Sequence, residues 1–84
     1  MNFSVLNFQD HNVVKGGTQA VHFFENNWSI SVVAGPAGSG LYGVIGEDTF
    51  EVAIIRPNGN ILDDVIPYQT PSQVSTIMRV ICMM

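Results

Sequence analysis

The segment Gly38-Ser39-Gly40-Leu41-Tyr42-Gly43 spells G-x-G-x-x-G. In dinucleotide-binding sites those glycines let the backbone approach a pyrophosphate held at the start of a helix. Here the residues downstream are strand-like, so the pattern lacks the helix that gives it its chemistry. His11 and His22 are the only histidines, and no third ligand stands at a matching spacing, so both read as structural residues and not as base or metal ligand. The carboxylate pairs Glu47-Asp48 and Asp63-Asp64 sit at expected strand ends, where solvated turn acids account for them better than a cation site. The serines at 29, 31, 39, 72 and 75 lack a G-x-S-x-G elbow, and nucleophilic catalysis has no support. The expectation is therefore a chain with no catalytic residues, no metal and no cofactor.

One segment still stands out. Gly35 to Gly46 holds five glycines and one proline, yet it carries Leu41, Tyr42, Val44 and Ile45. Large apolar side chains on a glycine loop are costly to leave in water unless something packs on them. The expected contact surface, for a partner or a ligand, is Gly38, Ser39, Gly40, Leu41, Tyr42 and Gly43 with Glu47 and Asp48 beyond them. The structural alternative is a bulged edge strand.

The rest of the chain has to position that loop. Asn2 to Phe8 has a weak period of two and reads as a short first strand, with Gln9 to Asn12 as polar loop. Thr18 to Phe24 and Trp28 to Ala34 form a hairpin around Glu25-Asn26-Asn27, since asparagine tolerates the left-handed backbone of a tight turn. In the second arm Trp28, Ile30, Val32 and Ala34 share one face and Ser29 and Ser31 the other, so the sheet is expected to be covered on one side only. Thr49 to Arg56 alternates as a further strand, and Asn58-Gly59 turns it into a return strand beginning at Ile61-Leu62. Asp63 to Tyr68 reads as an extended connection into Thr70-Pro71-Ser72-Gln73, a capping-box layout that opens a helix. Val74, Ile77, Met78, Ile81 and Cys82 then fall on one stripe, which places Cys82 in the core as a small hydrophobe. The fold class is α+β: an antiparallel meander of four to five strands with one C-terminal helix packed on one face, all of it one domain spanning 1–84.

Length and charge narrow the function. With 84 residues, 46% apolar and 12% charged, the chain has more apolar side chains than so small a core absorbs, which points to a homo-oligomer or a complex. The formal net charge is −4, with three cations against seven carboxylates, so direct duplex DNA binding is not expected. The single cysteine fits a reduced cytoplasm, and no segment predicts export or membrane insertion.

Between Trp28 and Leu62, the run WSISVVAGPAGSGLYG followed by EDTFEVAIIRPNGNIL resembles small accessory proteins encoded by tailed bacteriophages. The same glycine stretch with Phe50 to Ile55 behind it also looks like the nucleotide-covering hairpin of protein kinases. Ile55 stands where that family has its phosphate-pairing lysine, and the other kinase signatures are missing. The phage resemblance implies counter-defence or host takeover by stoichiometric binding of a host protein in the host cytoplasm. Two alternatives stay open: an oligomeric binder of a small ligand such as a nucleotide, and a structural component of a larger assembly.

Overall fold

A computed structural model describes residues 1–84 as five strands and one helix. The strands are β1 (Gln9–Asp10), β2 (Thr18–Phe23), β3 (Ser29–Ala34), β4 (Phe50–Ile55) and β5 (Ile66–Gln69), and the helix is α1 (Pro71–Cys82). The sheet runs β1-β2-β3-β4-β5 with every neighbour antiparallel, a meander in chain order. This is the α+β architecture the sequence predicts, and no helix is long and apolar enough to cross a membrane.

Alternation explains the central strands. Ile30, Val32 and Ala34 of β3 point to one face, Ile30 opposite His22 and Ile54, and Val32 opposite Ala20 and Val52. They join Leu6, Phe24, Phe50, Val74, Met78 and Ile81 in one buried cluster. The helix begins as its residue types dictate: the Thr70 side chain accepts from the Gln73 amide, the Gln73 side chain accepts from the Thr70 amide, and Pro71 occupies the first turn. A helix of 12 residues is marginal on its own. It is held by burial of Val74, Met78 and Ile81 and by two bonds at its sides, Phe3 N–H to Ser75 Oγ at 2.8 Å and Asn26 Nδ2–H to the Ile81 carbonyl at 2.8 Å.

Four expectations are corrected. Asn2 to Phe8 is no strand: Phe3–Val5 is a 3-10 turn capped by Asn2, whose side chain accepts from the Ser4 amide, and the strand starts at Gln9, where a loop was expected. Asn and Ser offered the backbone a local alternative to a ladder, and the turn swings Phe3 and Phe8 onto Phe50, with ring centroids 5.1 and 5.5 Å from it. Secondly, Cys82 is exposed, and the buried stripe is Val74, Met78 and Ile81 with Ile77 half-buried. Thirdly, the face away from the helix is not uniformly wet. Ser29, Val33 and Ala53 are buried there because taller neighbours flank them, Phe23 and Ile55 on either side of Ser29, Gln19 and Glu51 on either side of Val33.

The fourth correction matters for the site. The Asn58-Gly59 turn forms as expected, with Gly59 N–H to the Arg56 carbonyl and Arg56 N–H to the Asn60 carbonyl, but the return arm is a single bridge of Ile61 to Ile55. Continuing that ladder would bring Asp64 opposite Val52. Instead the chain loops out through Asp63, left-handed at φ 56°, and Ile66 takes the place opposite Val52. An isoleucine rather than a carboxylate thus reaches the core, and the extended connection of the sequence reading becomes strand β5.

Candidate functional site

The glycine segment is a folded loop with three different regions. Gly38 and Gly40 sit at its exposed tip with φ of 83° and 92°. Between them Ser39 is half-buried, its amide donating to the Pro36 carbonyl and its Oγ accepting from Leu41 N–H. Leu41 is half-buried against Gly35, its Cδ1 lying 3.1 Å from where a Gly35 Cβ would stand. Gly43, named in the expected contact surface, is buried and pressed on the backbone of β4, where the two backbone segments approach closely. Beyond it a 3-10 turn, Ile45–Glu47, is closed by left-handed Asp48, and Glu47 and Asp48 are both exposed.

The amides of Ser39, Leu41, Tyr42, Val44 and Ile45 all donate within the protein. The motif leads into a 3-10 turn and not an α-helix. Neither an unbroken run of free donors nor a helix N-terminus faces a phosphate here.

Tyr42 is different. Its amide donates to Glu51 Oε1 at 3.0 Å and its carbonyl accepts from Tyr68 N–H at 2.8 Å, so the backbone is tied to β4 and β5 while the residue remains 50% exposed. Its partner Tyr68 owes its position to a bulge. Phe50 pairs with Gln69 and Val52 with Ile66, which leaves Pro67 and Tyr68 together opposite Glu51. Tyr68 takes the left-handed conformation, φ 53°, is 54% exposed, and forms an edge-to-face ring pair with Tyr42, centroids 6.1 Å apart at 70°. Tyr42, Asp64, Val65, Pro67 and Tyr68 line one open groove of about 370 Å³. The sequence reading names Tyr42 and not Tyr68, which the structure sets against it. Pro67 was the available signal, since proline belongs at edges and bulges.

The remaining candidates do not converge on this pair. Asp48 lies instead on a second shallow groove of about 410 Å³, beside Phe3, Phe8, Thr18, Ile45 and Phe50. His22 is half-buried and packs edge-on against Phe24 at 5.0 Å. His11 caps its own loop: Nδ1 accepts from the amides of Val13 at 3.1 Å and Val14 at 3.0 Å, which puts the proton of the neutral ring on Nε2. Replacing it with alanine is expected to lower stability by about 1 kcal/mol, read as a lower urea midpoint at an unchanged slope. An unshifted midpoint would mean that water serves those amides equally well. No group of three or more His, Cys, Asp or Glu side chains gathers as a metal site. Comparison with protein-family models, curated proteins and solved structures gave no match.

Proposed function

We propose that this chain is a non-enzymatic binding protein, of the phage accessory kind its sequence resembles, that blocks a host protein by stoichiometric docking through Tyr42 and Tyr68. The observation that carries the reading is Tyr68: a bulky residue held at φ 53° and 54% exposed. Left-handed backbone costs a tyrosine on the order of 1 kcal/mol that glycine would not pay, and about half of the residue still stands in solvent. The left-handed backbone thus holds a large aromatic residue at the surface, where its exposed half suits a contact outside the protein. Strained residues cluster at contact sites for this reason. Paired tyrosines with anchored backbones supply large, rigid contact area at low entropic cost.

Tyr42→Ala tests it. Thermal stability is expected to stay within about 1 kcal/mol of the parent, because the ring is half-exposed and the backbone bonds do not need it. Capture of the bound protein from bacterial lysate is expected to fall at least tenfold, the loss typical of a central aromatic contact. Undiminished capture, or an unfolded variant, would defeat the reading.

A further inference from the structure

We infer that the groove beside the Tyr42 and Tyr68 pair receives an arginine or lysine side chain from a basic segment of the partner protein. This rests on the docking reading above and adds the chemistry of the contact. The groove's floor and walls suit a long aliphatic stem ending in a cation. Val65 and Pro67 line it with hydrocarbon, and two half-exposed tyrosines, each carrying a phenol ring, complete the lining beside Asp64. A cation is attracted to such a ring within about 6 Å of its centroid.

Asp64 supplies the counter-charge. Its Oδ1 accepts from the Val65 amide at 2.8 Å, which fixes the carboxylate and leaves the second oxygen for a ligand. None of the chain's cations, Lys15, Arg56 and Arg79, lines the groove, so this carboxylate has no internal competitor there. Glu51 adds negative charge just behind, anchored on the Tyr42 amide at 3.0 Å. The walls are set before binding: Asp63 and Tyr68, two of the four left-handed non-glycine residues, stand at either side of the segment that forms the groove. A net charge of −4 favours approach of a basic surface from a distance.

The test is a titration of the isotope-labelled full chain with acetyl-Gly-Arg-Gly-amide, followed on the ring signals of Tyr42 and Tyr68 and the amides of Asp64 and Val65. The matched acetyl-Gly-Gln-Gly-amide peptide is the control. The arginine peptide is expected to saturate these signals in the millimolar range and the glutamine peptide to leave them in place. Asp64→Asn is expected to weaken the arginine response about fivefold to tenfold. Tyr68→Phe, which keeps the ring, retains the response, and Tyr42→Ala removes it.

Equal shifts from both peptides, or none from either, would overturn the inference. If the arginine peptide fails while Tyr42-dependent capture of a host protein persists, the cation chemistry falls and the docking reading stands. A specific arginine response with no host protein captured supports the groove's chemistry and removes the docking reading beneath it. Shifts that grow with protein concentration alone and vanish in Arg56→Gln would make the occupant a second copy of this chain and overturn the assignment to a partner.

Discussion

A Gly43→Ala chain is expected to be about 2 to 4 kcal/mol less stable than the parent, although only one methyl group is added. The reason is the backbone of β4. A Cβ on Gly43 would stand 2.6 Å from Phe50 Cα and 2.7 Å from Glu51 N, and neither atom can rotate away as a side-chain tip could. Relief requires the loop to lift off the strand. Lifting it breaks the bond from Gly35 N–H to the Gly43 carbonyl and the bridge of Gly35 to Val44. It also draws Tyr42 away from Glu51, because the Tyr42 amide lies one residue before the contact.

Chemical denaturation of Gly43→Ala beside Gly46→Ala reads the effect cleanly. Gly46 has no atom within 4 Å of its added Cβ, so that variant is expected within about 0.5 kcal/mol of the parent. Equal stability of the two variants would show that the loop does not press on β4. The result also decides how binding data on this segment are read: a loss of capture in Gly43→Ala reports a displaced loop, while a loss in Tyr42→Ala reports a missing contact.

What was legible in the sequence follows from how local each signal is. The β2 and β3 hairpin needed only alternation and the asparagine turn, and Asn27 does take φ 72° there. The helix needed only Thr70, Pro71, Gln73 and an apolar stripe. Its last member failed: Cys82, the stripe's final position, is exposed beside the buried Ile81, and no local pattern marks where burial along a helix ends. The return arm failed for a longer-range reason. Asn58-Gly59 fixes where the chain turns, but whether Asp64 or Ile66 lands opposite Val52 depends on the core face of a strand 12 or more residues earlier. Glycine spacing drew attention to the loop and so to Tyr42. Tyr68 entered the site only through a bulge two elements away, which alternation in a single strand cannot reveal.

The helix gives the sharpest test of the whole arrangement. Met78→Asp is expected to abolish cooperative folding, seen as loss of a sigmoidal melt by circular dichroism and collapse of amide dispersion in the proton-nitrogen spectrum. Met78 is 0% exposed, between Val74 and Ile81 in the same cluster as Val32 and Val52. A carboxylate there has no cation to meet, since Arg79, the one basic residue on the helix, is exposed and donates to Thr76. The cost combines lost apolar burial with an unpaired buried charge, several kcal/mol in all. That is most of the roughly 5 to 10 kcal/mol such a small domain has available. Without packing, a single helix of this length does not persist in water, and the sheet's inner face, Ile30, Val32 and Val52, is left bare. Cys82→Asp is the matched control on the same helix: the residue is exposed, so the chain is expected to fold with a change within about 1 kcal/mol. The two together distinguish the docked stripe of Val74, Met78 and Ile81 from the longer stripe read off the sequence, because the longer stripe requires both substitutions to be destructive. A folded Met78→Asp would mean that the helix is held by its two side bonds, Asn26 to the Ile81 carbonyl and Phe3 to Ser75, and not by the face it turns to the sheet.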